Sequence, residues 1–503
     1  MDYNGIDSSS VKTHVHLNEI LNNDKVVNAT LIENYILQLK NNRSIIFPDE
    51  QPNGSIGSNK FISLFIPTIN SLLNGEHYFE IDPERVVISL LDAILAYLNI
   101  EEILSLYPLD FIINGLTGDS AICCMIIRLL RNNATSETTV KLFDETAILD
   151  TILSRYFEKN TTLNVVSQVE LLISELVDLS STVVSTKLLS TEFRDLYEHA
   201  RDNEDKLVKF LDYILLLMPY ILEKQFDLPK NYYVLSYSEF YENDDVLQVV
   251  LFIQFYSKLI QRINTFGNDT NIIHNIKPCL KDLISYFKTR QNDDIVQSFY
   301  ANDIVDVLFH VSYSKVPELL TFNEEVVGQY ELFKSYNLFL HLDCDIKLLS
   351  TFNPRALPLE IIEDILQEIS IFNQKYFSIL LNCIGSENVF NKLIPRLTTS
   401  VIGKLSFDML YSLLLRMSEF EYSRKHLING MPNIVSDYLA NPPNVSESEI
   451  WNLKKDTLQN LLFSNTDLNV WHDPISKNFS LMCNGRKVQD ILPQVDIADK
   501  SLQ

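Results

Sequence analysis

Apolar residues recur at helical spacing along almost the whole chain, and the pattern is clearest between Leu405 and Pro474. After Ser446 come Ile450, Leu453, Leu458, Leu461 and Leu462, which share one stripe at 100° per residue, while Asn452, Asp456 and Gln459 occupy the opposite side. Ser446 and Glu449 stand three apart, the spacing of a capping box in which each side chain satisfies a backbone N–H of the first turn. Upstream, Leu410, Tyr411, Leu414 and Met417 repeat the stripe, and Asp408, Ser412 and Arg416 form a narrow polar strip. Between the two lies HLINGMPNIVSDYL, in which Asn429-Gly430 are C-cap residue types and Pro432 suits the first turn of a new helix.

A short helix, a sharp turn and two further helices is the layout of an armadillo-like repeat. One such unit cannot bury its own apolar face, so it needs neighbours stacked on both sides. The rest of the chain supplies them. Apolar periodicity predicts helices over about 27–40, 61–73, 119–131, 138–157, 245–264, 273–290, 293–312 and 357–397. Asp82-Pro83-Glu84 suits a helix start, with Asp as N-cap, Pro at the first position and Glu near the positive dipole end. Asn114-Gly115 is a second C-cap signal. VKLFDETAILDTIL from Val140 resembles TKLLSTEFRDLYEHA from Thr186, with Leu142 and Leu188 separated by about one HEAT or armadillo repeat of roughly 40–47 residues. The expectation is an all-α fold, a HEAT/armadillo-like α-solenoid wound into a curved superhelix. Its parts are a loose tail (1–15), amino-terminal helical repeats (16–225) with a Gly/Pro/Asn/Ser-rich loop insertion at 41–60, a Tyr-rich connecting segment (226–245), carboxy-terminal repeats (246–487) and a flexible tail (488–503). The connecting segment, FDLPKNYYVLSYSEFYENDD, is taken as a loop packing its tyrosines on the array rather than as a strand.

Composition agrees. With 12 Gly and 17 Pro in 503 residues, both fall well below the usual share of roughly 7% and 5%, and sheets spend glycine on turns and bulges. Hydrophobic residues at 46% and aromatics at 11% exclude a largely disordered chain. The net charge of −25 disfavours direct DNA contact, which leans on cationic side chains that release phosphate counterions. It suits solubility or a basic protein partner. None of the six cysteines forms a C-x-x-C, and Cys123-Cys124 lie in the apolar run AICCMII as core residues. No leader is expected ahead of the repeats, and no apolar run reaches the roughly 18 residues of a span; the longest, FLDYILLLMPYIL from Phe210, contains Asp212 and Pro219. A reduced intracellular protein is expected, cytoplasmic with the nucleus as a second location.

The search for chemistry yields little. His341, Asp343 and Asp345 have metal-ligand types but no second ligand pair, and His14-Val15-His16 falls in the polar amino-terminal segment. GSIGSNK from Gly54 lacks the G-x-x-x-x-G-K-[ST] spacing of a phosphate loop. Trp451 and Trp471 are read as packing residues. No catalytic residue, cofactor or metal is expected.

At LLRMSEFEYSRKHLINGMPNIVSDYL and LQNLLFSNTDLNVWHDPISKNFSLMCNGRK the chain resembles the fungal Hsm-three family, HEAT-like chaperones of proteasome base assembly related to the animal chaperone called S-five-b. The matching features are Glu421-Tyr422, Leu427, Asn429, Met431-Pro432, the Leu458–Leu462 run, Val470-Trp471, Pro474 and Asn484-Gly485, with a weaker match at ILSLYPLDFIINGL and KLFDETAILDTILSRYF. The resemblance implies a non-enzymatic solenoid that grips the carboxy-terminal small domain of an AAA-ATPase, subunit one of the proteasome regulatory particle, within its assembly module. It implies that this grip hinders premature docking onto the core particle. Some members carry a DNA mismatch repair label; here that role would be indirect, and a general solenoid adaptor is the third alternative. No direct nucleic-acid or membrane contact is expected. Because second helices of stacked hairpins line the inner surface, the partner-binding candidates are Asp408, Ser412 and Arg416 on one helix and Asn452, Asp456 and Gln459 on another.

Overall fold

The computed structural model describes residues 6–23, 25–47, 59–236, 239, 245–267, 270–289, 295–328, 332–333, 342–370, 372–441 and 447–484. Among them there is no strand: the fold is an all-α solenoid. The chain divides into two compact units, the first running to Val234 and the second comprising Leu235–Asn264 and the chain from Thr270 on.

The longer helices of the first unit are α1 (Ser8–Asn23), α2 (Ala29–Asn41), α3 (Lys60–Leu73), α4 (Val86–Leu95), α5 (Leu109–Thr117), α6 (Ser120–Asn132), α7 (Ile148–Tyr156), α8 (Leu163–Leu179), α9 (Arg194–Arg201) and α10 (Glu204–Lys224). They stack in two rows. One runs α2, α4, α6, α8, α10, each packed on the next; α5 and α7 belong to the other. The core lies between the rows, where Leu90, Ile94, Ile127, Leu130, Leu172, Leu176, Phe210 and Leu217 are fully buried. Each such side chain contributes about 1.5–3 kcal/mol relative to exposure. The two segments of the sequence echo lie against each other: Thr186 donates to the Asp144 carboxylate at 2.8 Å, and Lys187 Nζ to the Asp144 carbonyl at 3.2 Å.

Four local expectations are corrected. First, residues 6–15 of the expected tail are not loose, residues 1–5 lying outside the described residues. Asp7 caps α1 by accepting from Ser9 N and Ser10 N at 2.8 and 3.1 Å, and α1 packs on α2 and α3. Its buried face is partly polar (Ser10, Thr13, His14), which a search for apolar stripes passes over. Second, Asp82 is not the N-cap residue. Arg85 holds that position with φ 59°, and the buried Asp82 carboxylate reaches forward to Val86 N (3.0 Å) and Val87 N (2.9 Å) while accepting from the Tyr78 hydroxyl. Third, Gly115 is no cap. It sits inside α5, where a Cβ would meet Ile126 Cδ1 of α6 at 2.4 Å, so it serves close helix approach. Fourth, the helix expected over 138–157 is two, Glu137–Glu145 and Ile148–Tyr156.

The second unit contains α11 (Val246–Phe266, assigned to it through Asn264), α12 (Thr270–Thr289), α13 (Ile295–Ser312), α14 (Pro317–Gly328), α15 (Asp343–Thr351), α16 (Leu359–Glu368), α17 (Phe377–Cys383), α18 (Glu387–Leu393), α19 (Phe407–Glu419), α20 (Glu421–Gly430), α21 (Ser448–Leu462) and α22 (His472–Asn484). One row runs α13, α15, α17, α19, α21; the other contains the pairs α12·α14, α16·α18 and α18·α20. By length and composition α11 alone among the described helices could cross a bilayer. Half of its most apolar 18-residue window is buried, however, and Gln254 donates to Asp303 of α13 at 2.9 Å, as in a core helix.

Of the Tyr-rich segment, Tyr232 and Tyr233 are buried around a 3-10 turn, Lys230–Tyr232, and Leu235 N donates to the Tyr256 hydroxyl. Tyr237 and Tyr241 lie outside the described residues, as do His341, residues 54–58 of GSIGSNK and Ser446. The helix after Ser446 begins at Ser448, with Glu447 at the N-cap position and making no side-chain cap bond; the expected box partner Ser446 lies outside the described residues. Pro432 opens a short helix as expected, whereas Gly430 ends α20 in ordinary geometry against the His426 ring.

Candidate partner-binding face

The candidate residues sit on α19 and α21, which pack side by side at the end of the second unit's row. In α19, Leu410, Tyr411, Leu413, Leu414 and Met417 are buried, a stripe wide enough to leave only a strip to solvent. In α21 the buried set is Ile450, Lys454, Thr457, Leu458 and Leu461. What remains outside is the polar strip of each helix.

Asp408 is exposed at the first turn of α19, and a hydrogen bond from the Ser406 side chain holds its carboxyl below the usual carboxylate range. Ser412 is half-buried. Arg416 is committed elsewhere. Its Nε donates to the Leu381 carbonyl of α17 at 2.9 Å, its guanidinium pairs with Glu419, and it lies 4.7 Å over the Phe420 ring. On α21, Asn452, Asp456 and Gln459 are all exposed. The two strips thus lie on neighbouring helices, with Arg416 turned back to the preceding layer.

Arg416 belongs to a series of stitches along this row. Lys347 of α15 pairs with Asp306 of α13 at 2.8 Å. Asn382 of α17 donates to the Leu349 and Phe352 carbonyls at the end of α15, at 2.9 and 2.7 Å. Asn460 of α21 donates to Ser418 Oγ of α19 at 3.1 Å. Each stitch satisfies a donor or a terminal carbonyl that a helix end leaves without an intrahelical partner.

Two residues escape a reading of the sequence. Lys454 is 1% exposed although lysine rarely is. Its Nζ donates to the Asn441 carbonyl at 3.0 Å and lies 5.8 Å from the Tyr411 ring centre, and burial pulls its pKa down to about 8. Asn478 of α22 donates to the same carbonyl at 2.8 Å, so one oxygen ties α21 to α22. The other is Phe463, the residue that follows α21, 76% exposed. Nothing in its spacing marks it, because it falls at the end of the apolar stripe. Trp451 and Trp471 are half-buried and Val470 is 79% exposed.

Elsewhere, the ligand types singled out by sequence are in use. His14 Nε2 lies 3.0 Å from Thr68 Oγ1 and 3.2 Å from the Leu64 carbonyl, whereas His16 Nε2 accepts from Asn28 N at 3.0 Å, so the two rings face different partners. Burial lowers the pKa of both. Asp345 is fully buried in the first turn of α15. Among the described residues no group of three or more His, Cys, Asp or Glu side chains is placed to hold a metal ion. Five cysteines are buried and Cys483 is exposed, all as free thiols.

Comparison with known proteins covers the same ground end to end. Residues 13–261 match the family described as DNA mismatch repair protein HSM3, N terminal domain, and residues 270–502 match its C terminal domain. The chain is similar to the DNA mismatch repair protein HSM3 of Scheffersomyces stipitis, 31% identical over 516 residues, covering 99% of this chain and 98% of the relative. It is likewise similar to that of Candida albicans, 28% identical over 514 residues (99% and 100%), and that of Eremothecium gossypii, 22% over 415 residues (80% and 82%).

Proposed function

The chain belongs to the HSM3 family, and from that premise we propose that it is a non-enzymatic assembly chaperone for the base of the proteasome regulatory particle. In this reading it binds the carboxy-terminal small domain of ATPase subunit one and keeps that subunit's module from docking early onto the core particle. The observation that carries the reading is the face formed by α19 and α21. There a stacked row leaves Asp408, Asn452, Asp456 and Gln459 exposed, on two helices that run into the stretches carrying the resemblance to such chaperones. Ser412 lies at its edge, and Arg416 supports it from behind through α17. Rigid stacked helices hold such a face without ordering cost on binding. A net charge of −25 favours a basic surface on the partner and speeds encounter with it. The protein works in the cytoplasm, and in the nucleus wherever the particle is assembled there.

Affinity purification followed by mass spectrometry tests the reading. Recovery of ATPase-ring subunits supports it, and a broad cargo spectrum would point to a general adaptor instead. A second reading rests on the printed name of the family and its relatives, DNA mismatch repair. With so acidic a chain it would act through a repair protein rather than on DNA, and recovery of repair proteins without ATPases would favour it.

A further inference from the structure

Three helices of the second unit's row are each followed by a phenylalanine: Phe352 after α15, Phe420 after α19 and Phe463 after α21. The first two are covered. Phe352 is fully buried with the Phe333 ring at 4.8 Å. Phe420 stacks on Tyr422 at 5.6 Å and carries the Arg416 guanidinium at 4.7 Å, donated from one turn back on its own helix. Phe463 has the Phe479 ring edge-on at 6.2 Å and is otherwise 76% exposed. The position one turn back from Phe463, equivalent to Arg416, is Gln459, which has no charge to offer. The chain contains no Lys or Arg anywhere from 456 to 476, but it does contain Asp456, Asp467 and Asp473.

We infer that Phe463 is a docking point for an arginine side chain of the protein partner, completing from outside the cation–aromatic joint that Arg416 and Phe420 make within the fold. Asp456 and Gln459 of α21 and Phe463 just past its end stand at i, i+3 and i+7, in line with one stripe of the helix. A planar guanidinium over the ring presents donors toward the side of Gln459, one turn back, while Asp456, two turns back and about 10 Å along the axis, adds only its negative charge. Lysine is the poorer occupant, because its compact ammonium cannot stack on the ring and hydrogen-bond in two directions at once. The inference deepens the proposed partner-binding face and rests on that reading only for the choice of the second probe below.

The first test needs no partner. The full-length chain, labelled with 13C-phenylalanine, is titrated with Nα-acetyl-arginine methylamide and with its lysine counterpart, and the Phe463 ring resonance is assigned by its loss in Phe463→Leu. The expected result is a saturable shift with the arginine compound, a smaller one with the lysine compound, and none in Gln459→Arg, where a cation in cis fills the joint. A Phe463 resonance indifferent to arginine, or equally responsive in Gln459→Arg, overturns the inference. The second test measures binding of the ATPase subunit one small domain by calorimetry. Phe463→Leu and Gln459→Arg should each weaken it about three- to tenfold, with unchanged melting because both residues are exposed. Wild type that fails to bind the domain counts against the partner reading and leaves the titration to decide the arginine site. Wild type that binds while both variants bind equally well overturns the site alone. A concentration-dependent dimer that Phe463→Leu abolishes, seen by light scattering, would show that the ring serves a second copy of the chain and would also overturn it.

Discussion

At the scale of single residues, Lys454 is a group whose charge is governed by its surroundings. Its folded pKa is about 8 against an ordinary 10.5, because burial penalises the charge. Between those two values the unfolded chain holds the proton and the folded chain has released it, so stability rises with pH across the window, by at most about 1.4 kcal/mol per unit. Below pH 8 both states are charged and the folded state bears the burial cost in full. Urea midpoints measured from pH 7 to 10 should therefore climb more steeply in wild type than in Lys454→Met, and Lys454→Met should be the more stable protein at pH 7. Equal slopes would mean that Nζ keeps its proton through the carbonyl of Asn441. Spacing alone puts Lys454, four residues from both Ile450 and Leu458, on the apolar stripe and Lys455 off it; its charge argues against burial, and the packing of α21 on α19 supplies the carbonyl and ring that allow it.

At the scale of the helix, the row depends on both its apolar stripe and its stitches. Leu461 is fully buried, so Leu461→Asp forfeits roughly 1.5–3 kcal/mol of burial and strands a charge. Loss of the α21–α22 layer should follow, read as rapid hydrogen exchange confined to residues 448–484. Asn382→Ala leaves the Leu349 and Phe352 carbonyls short of their donor and should cost about 1–3 kcal/mol in a thermal or denaturant melt. The stripes themselves were legible: Ile450, Leu458 and Leu461 are buried and Asn452, Asp456 and Gln459 exposed, as their spacing requires. The helix ends were less so. Asp82 reaches past a left-handed Arg85 to cap α4 from four residues upstream, and Gly115 serves contact rather than termination. A cap is recognised by residue type, but its geometry depends on what packs against it.

At the scale of the whole molecule, charge and surface decide what can bind. Asp408→Lys with Asp456→Lys should weaken binding of the ATPase small domain while shifting stability by less than about 0.5 kcal/mol per site, since both side chains are exposed. Unchanged pull-down of the domain would move the search to the first unit. If the contact is electrostatic, affinity should also fall as salt is raised from 50 to 300 mM, because the Debye length shortens to well under 10 Å. A salt-independent affinity would mark an apolar contact instead.

The sequence by itself determined the all-α class, the stacking that unsatisfied apolar stripes demand, and the family. All of these are local or periodic properties, repeated often enough along the chain to survive individual errors. Tertiary structure alone decided which polar groups are spent and which are available. Arg416 and Gln459 look alike as polar positions on an amphipathic helix, yet one is consumed by the Leu381 carbonyl and Phe420 while the other faces solvent. His14 belongs to no tail because Thr68 and Leu64, some fifty residues away, give its ring a place. The physical reason is the same in each case. Burial of an apolar side chain needs only a stripe of the right period, whereas burial of a polar one needs a particular partner at hydrogen-bond distance, and that partner is chosen by the fold.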